Sequence, residues 1–262
     1  MEKNVFVITG GGSGIGRALA IALAKRGYAV TIIGRRLENL QQTAAVDSKI
    51  AICCADVASR QGRDRIVEAL RSVKTIQGLI HNAGMVEPIA LIGDIAEDAW
   101  EQVMATNLHA PLFLTQRLRA QLNKSRVLHI GSGVAYFPVI AWSPYCVSKA
   151  GLAMLTRCCQ LEMDPEVTAV TSVMPGIIDT DMQNIIRHAS VMHPKKLAFF
   201  QRLYAENKLI APETVAEFLV WMLLSLPTTT YISKEWDIYD KTHHQHWLRS
   251  PHTVPFWEQE AE

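Results

Sequence analysis

The stretch NVFVITGGGSGIGRALAIALAKRG, residues 4–27, decides the fold. NVFVIT (4–9) is a short β-branched apolar run, the pattern of a buried strand. GIGRALAIALAKRG (14–27) places apolar residues at helical spacing and stops at Gly27, as helices commonly do. Between them runs TGGGSGIG (9–16). Glycine lets a backbone turn tightly and come close to a ligand. The first turn of the following helix offers free N–H groups and the positive end of a dipole to a phosphate. Strand, glycine turn and helix together read as a dinucleotide site, with Gly10, Gly12, Ser13, Gly14, Ile15 and Gly16 as contacts. The spacing is Gly10-x-x-x-Gly14-x-Gly16, not the generic G-x-G-x-x-G. The plainer alternative is a flexible turn.

Outward from this unit the alternation continues. YAVTIIG (28–34), KIAICCAD (49–56), IQGLIHNAG (76–84), RVLHIGS (126–132) and EVTAVTSVMPG (166–176) read as strands. RLENLQQTAA (36–45), SRQGRDRIVEALRSV (59–73), 97–106, 108–123, 143–163 and APETVAEFLVWMLLS (211–225) read as helices, the second with Ile66, Val67, Leu70 and Val73 on one face. TTYISKEWDIY (229–239) reads as a last strand. Apolar strands alternating with helices predict an α/β fold: a doubly wound parallel sheet with helices on both faces. One domain is expected over 1–240, and ligands are expected outside the carboxyl ends of the strands. Residues 180–210 and 241–262 do not follow the pattern.

The chain has 262 residues, 49% hydrophobic and 19% charged, with net charge +1. That supports a large core and argues against disorder. There is no Lys/Arg cluster of the kind that binds nucleic acid. No apolar run reaches the ~18 residues of a membrane span, and the N-terminus does not resemble a secretory signal, so a cytoplasmic location is expected. Cys53, Cys54, Cys146, Cys158 and Cys159 form no metal-type motif and read as reduced, mostly buried thiols.

The second strand ends in Gly34, Arg35 and Arg36, with no acid before Glu38. An acid there would hold a ribose 2′-hydroxyl, whereas arginine suits a 2′-phosphate, so NADP(H) is preferred over NAD(H). Two surface arginines opening a helix are the alternative. Asp56, with Val57 beside it at the end of the third strand, can accept from an adenine or cap the next helix. SPYCVSKAG (143–151) puts Tyr145 and Lys149 at i and i+4, on one helical face.

TGGGSGIG, HNAG (81–84), Asn107, Ser132, YCVSK (145–149) and PGIIDTDM (175–182) occur in an order that resembles the short-chain dehydrogenase/reductase family, over about residues 4–240. The resemblance implies that Tyr145 is the general acid for a carbonyl oxygen. Lys149 would lower the phenol pKa and bind the nicotinamide ribose. Ser132 would polarise the carbonyl, and Asn107 would shape a helix and hold a relay water. It further implies that Asn82, Ala83 and Gly84 line the adenosine ribose. Pro175, Gly176, Ile178 and Thr180 would meet the nicotinamide. The partner implied is a small carbonyl compound, and the assembly a homodimer or homotetramer through helices near 100–122 and 145–163. His81 stands where an Asn is commoner, and Ser13 where many NADPH enzymes carry a base.

PGIIDTDMQ, AENKLIAPE and EWDIYDK resemble the sepiapterin reductases within that family, NADPH-dependent carbonyl reductases. That implies a substrate anchor at Asp237, which is otherwise a strand-end or capping residue. The family places its substrate lid at about 180–210. There Ile185, Ile186, Val191, Met192, Phe199 and Phe200 either line a pocket or pack a helix core. Trp142 is a further candidate for the pocket wall. His243, His244 and His246 match no metal site and read as surface residues. Trp247, Phe256 and Trp257 are expected to pack on the body, on a neighbouring subunit or over the substrate mouth. Against this carbonyl reductase stand an NAD-linked alcohol dehydrogenase, an NADP(H)-sensing binding protein and a non-catalytic subunit. The intact Ser132–Tyr145–Lys149 set, the glycine turn and the arginine pair favour the reductase.

Overall fold

The computed structural model describes residues 5–256. The chain runs β1 (Val5–Thr9), α1 (Gly14–Lys25), β2 (Ala29–Gly34), α2 (Leu37–Ala44), β3 (Ile50–Cys54), α3 (Arg60–Ala69) and β4 (Ile76–His81). It continues through α4 (Glu97–Met104), α5 (Ala110–Arg117), β5 (Ser125–Ile130), α6 (Ser143–Glu162) and β6 (Thr168–Met174). Then come α7 (Asp181–Arg187), α8 (Pro194–Ala205), α9 (Pro212–Ser225), α10 (Thr228–Tyr231), β7 (Trp236–Asp237) and α11 (His244–Trp247). The strands form one parallel sheet in the order β3-β2-β1-β4-β5-β6-β7. The order reverses between β1 and β4, and crevices at such a reversal are where these sheets bind ligands.

Period-2 geometry sends alternate side chains of each strand into opposite layers. Phe6 and Ile8 of β1 join α1 and α9 on one face, while Val5 and Val7 join α3 and α5 on the other. Burial on both faces is why the strands read as continuous apolar runs. Ile66 and Leu70 sit in the second layer, with Val67 and Val73 half-buried beside them. Among the described residues no helix is long and apolar enough to cross a membrane.

Three expectations change. The helices expected over 97–106 and 108–123 are α4 and α5, joined by a π-turn at Ala105–His109; Asn107, inside that turn, is held by bonds to Met85 described below. The last strand shrinks to Trp236–Asp237, because Thr228–Tyr231 folds as a helical turn. Tyr231 fixes it: its hydroxyl donates to Val127 O at 3.0 Å, and its carbonyl accepts from Trp236 Nε1 at 3.0 Å. The thiols are unpaired, but only Cys53 is buried, and Cys54 and Cys158 are exposed.

The extension packs on the body. Trp247 and His243 are buried, and the His243 ring stacks on Phe218 of α9 at 4.9 Å. Trp247 Nε1 donates to His243 Nδ1 at 2.8 Å, and His243 Nε2 donates to Asp237 O at 2.9 Å. His243 is therefore a core residue rather than a surface one. No metal-binding cluster occurs among the described residues. Phe256 lies against Tyr239 and His244; Trp257 falls outside the described residues.

Candidate active site

A cleft of about 1700 Å³ opens along the carboxyl ends of β1–β6. That exceeds a single drug-sized pocket, roughly 300–1,000 Å³, and accommodates two molecules side by side. One half is built on the glycine turn. Gly10 N and Gly11 N donate to Ile33 O of β2 at 2.7 and 3.1 Å. Thr9 Oγ1 accepts from the backbone of Asn82 and Ala83 at 3.0 Å each, and Asn82 Nδ2 donates to Thr9 O at 2.9 Å. The turn is thus stapled to the exits of β2 and β4. Gly10 has φ +70°, and a Cβ there would stand 2.8 Å from Asn82 Nδ2. A Cβ on Gly16 would stand 2.4 Å from Gly10 O.

Gly10, Gly12, Ser13, Gly14 and Ile15 line the cleft. Gly16 does not; its role is close packing of α1 on the turn, a correction to the contact expected of it. The first turn of α1 holds no acid, and the Ser13 side chain does not cap it, so its N–H groups remain available to an anion. Arg35, Arg36, Asp56 and Val57 line the far end. Arg36 lies 3.7 Å from Asp181 at the start of α7, both side chains well exposed. Asp56 accepts from Ala58 N at 2.9 Å, while the cap of α3 is Ser59, accepting from Gly62 N at 2.9 Å. Asn82, Ala83 and Gly84 border the middle, and Pro175, Gly176, Ile178 and Thr180 close the side toward the lid. A free helix N-terminus, glycine walls and two guanidinium groups fit a nicotinamide dinucleotide.

Tyr145, Lys149 and Ser132 meet on the same wall. Tyr145 and Lys149 share a face of α6 and are both buried. Lys149 Nζ donates to Ile130 O at 2.8 Å and lies 5.6 Å from the centre of the Tyr145 ring. Burial brings the ammonium down from 10.5 to about 8. Burial also pushes the phenol up from 10.0 to about 12, opposed by its hydrogen bond with Ser132. Desolvation is the largest cause of that rise. Asn107 lies behind the wall rather than on it. Its Oδ1 accepts from Met85 N at 3.0 Å, and its Nδ2 donates to Met85 O and Ser148 Oγ at 2.9 Å each. It ties the π-turn to α6 and to the exit of β4. Burial raises the pKa of the neighbouring Cys146 thiol.

The other half of the cleft is aromatic. Trp142, 4% exposed, stacks on Phe200 of α8 at 5.8 Å and meets Tyr145 edge-on at 5.8 Å. Ile185, Ile186, Phe199 and Phe200 line the cleft, whereas Met192 is buried behind it and Val191 is exposed. Asp237 lines the cleft, with Oδ1 accepting from Tyr239 N at 2.9 Å. The sequence reading passed over Gln183, Tyr239 and the Tyr136–Phe137 pair, which also line it. The last pair carried a visible signal, two aromatics between Ser132 and Tyr145.

A family model for short chain dehydrogenases matches residues 4–190. The chain belongs to this family. It is an oxidoreductase of a family that works with nicotinamide cofactors. It is similar to the benzil reductase ((S)-benzoin forming) of Bacillus subtilis, 31% identical over 84% of this chain and 93% of that protein. A benzil reductase ((S)-benzoin forming) of Saccharomyces cerevisiae is 27% identical over 84% of this chain and 90% of its own length. Among solved structures, the KRED1-Pglu enzyme superposes with a TM-score of 0.80 at 29% identity, covering 87% of this chain and 98% of that one.

Proposed function

We propose that the protein reduces a carbonyl compound, an aryl ketone or diketone in first place and an aldehyde in second, to the alcohol with NADPH. The observation that carries this reading is the buried Tyr145 phenol on the wall of the cleft, bonded to Ser132 and shared with Lys149. The cofactor, when bound, supplies the hydride. Tyr145, with a pKa of about 12, stays protonated at working pH and donates its proton to the developing alkoxide. Ser132 donates to the same oxygen and polarises the carbonyl. The Lys149 ammonium stabilises the phenolate that remains. Asn107 holds the backbone at Met85 and so the spacing of the wall. Relatives named as benzil reductases and an aromatic substrate half support the diketone. NADPH is preferred because Arg35 and Arg36, with no acid at the end of β2, suit a 2′-phosphate.

The same reading includes a homodimer or homotetramer. Exposed Leu112 and Phe113 of α5, with Val147, Met154 and Leu161 of α6, support it. A second reading, reduction of a pterin ketone of the sepiapterin type, is favoured by Asp237, which borders the cleft; loss of sepiapterin turnover in Asp237→Asn is its test. The test of the main reading is NADPH consumption with benzil, an aromatic aldehyde and sepiapterin, repeated with NADH. Turnover with NADPH that disappears in Tyr145→Phe supports it. Tight NADPH binding with no turnover of any carbonyl contradicts it.

A further inference from the structure

Glu235 stands just before β7, half-buried, and spends both carboxylate oxygens on hydroxyls. Its Oε1 accepts from Ser172 Oγ of β6 at 2.8 Å, and its Oε2 accepts from the Tyr136 hydroxyl. The Tyr136 oxygen in turn accepts from Arg157 of α6 at 3.3 Å. A Cβ on Gly131 would stand 3.3 Å from Glu235 Oε1, so the carboxylate lies against the backbone that leaves β5. Between Gly131 and Tyr136 sits Ser132. It opens one short helical turn, Gly133–Ala135. Ala135 N donates to Ser132 O at 3.1 Å, and Tyr136 N donates to Gly133 O at 3.0 Å. Ser132 Oγ accepts from Val134 N at 3.4 Å and bonds the Tyr145 phenol. The turn therefore sets where the serine hydroxyl points. So short a turn, with the poorer hydrogen-bond geometry of its class, is held from outside. The sheet holds one end, where Gly131 N donates to Val173 O at 2.8 Å. Glu235 holds the other, at Tyr136.

We infer that Glu235 is a positioning residue: through Tyr136 and the Gly131 backbone it holds the turn that aims Ser132 at the reacting carbonyl. This rests on the carbonyl-reductase reading of the site. Glu235 is not among the residues that line the cleft, whereas Tyr136 and Ser132 are. Its effect therefore passes through Ser132. The Tyr136 side chain is 52% exposed, so its bond to Glu235 adds little to the core and acts on the turn. Arg157 extends the hold to α6, the helix that carries Tyr145 and Lys149. Proton donor and serine are thus tied to one network, on the far side of the turn from the substrate. A group misplaced by an ångström can cost a reaction about 100-fold. The glycine turn shares none of these bonds, so cofactor binding stands apart from them.

The test compares the parent with Glu235→Ala, Glu235→Gln, Tyr136→Phe, Ser132→Ala and the Ser132→Ala/Glu235→Ala double variant. Measured are kcat and KM for benzil at saturating NADPH, NADPH affinity by fluorescence, and hydrogen exchange at the Ala135 and Tyr136 amides. Glu235→Ala and Tyr136→Phe each lower kcat about ten- to 100-fold and keep NADPH affinity within about threefold. Both speed exchange of the two amides at least about tenfold, the scale of one lost hydrogen bond. Glu235→Gln keeps an acceptor for the phenol and recovers kcat to within about threefold of the parent. The Ser132→Ala and Glu235→Ala losses do not multiply in the double variant, since both remove the same aimed donor. Fully multiplicative losses overturn the inference, as do parent-like amide exchange in Glu235→Ala and an NADPH affinity that falls in step with kcat. If the parent reduces no carbonyl while Glu235→Ala still frees the turn, the reaction assigned to the site fails and the hold on Ser132 stands.

Discussion

The glycine half and the aromatic half of the cleft are built on opposite principles. In the first, Thr9, Asn82, Gly10 and Gly11 spend polar groups on one another, on Ile33 and on Ala83, and the turn is locked before any ligand arrives. In the second, Trp142 and Gln183 each keep an unsatisfied polar atom, and the walls come from a lid, α7 and α8, outside the sheet. A locked half suits a partner that is always the same. The second half rests instead on ring packing between Trp142, Tyr145 and Phe200 of the lid.

Tyr145→Phe tests the join between the two. Turnover should fall about 10²–10⁴-fold, the range for losing a positioned proton donor, while cofactor affinity measured by fluorescence stays within a few-fold. Gly16→Val strikes the locked half. Its Cβ would stand 2.4 Å from a backbone oxygen, so the turn must shift, and NADPH affinity should drop about 100-fold, as preorganised phosphate contacts are lost. Unchanged NADPH affinity would mean the turn is not the phosphate site. Arg36→Ala sharpens the cofactor assignment: the preference for NADPH over NADH should fall about tenfold with NADH kinetics preserved, the scale of one charged hydrogen bond. It also removes the pair with Asp181, so a general loss with both cofactors would assign Arg36 to the lid instead.

The smallest effect is in pH. Lys149 loses its charge near 8, well below the phenol at about 12. The reductive rate should be level below that pH and decline above it, since the phenolate left by proton transfer then lacks its ammonium. Lys149→Arg, always charged, should be slower but without that decline. The same shift has a sign in stability. The unfolded chain keeps the proton up to 10.5 and the folded one only to about 8, so burying Lys149 costs stability below 8 and that cost fades as pH rises to 10.5. The stability gain of Lys149→Met over the parent should shrink across that window.

The locked half was legible in the sequence because it is local. Residues 9–16 form one turn, and Tyr145 and Lys149 one helical face. Arg35, Arg36 and Asp56 end consecutive strands whose order the alternation predicts. Gly16 was placed on the wall because chain neighbours share a turn, yet its atoms point into α1 packing. The fate of Tyr145 was not legible: burial decides its pKa, and beside the neighbouring Trp142 that burial depends on Phe200 and Val86, which arrive from segments far apart in the chain. The last strand failed for a related reason. Tyr231 and Trp236 trade hydrogen bonds with distant or turn carbonyls, and that tertiary choice overrides the β-propensity of TTYISKEWDIY. His243 looked like a surface residue until the extension folded back onto Phe218.

The central claim is that Tyr145 delivers a proton to a carbonyl in the aromatic half while the glycine half holds NADPH. The most direct measurement is a single-turnover reaction of the NADPH-loaded protein with benzil, following NADPH absorbance and product together, in the parent and in Tyr145→Phe. The account predicts one hydroxyketone formed per NADPH consumed in the parent. In Tyr145→Phe it predicts bound but unreacted NADPH. Equal consumption in both proteins would contradict it.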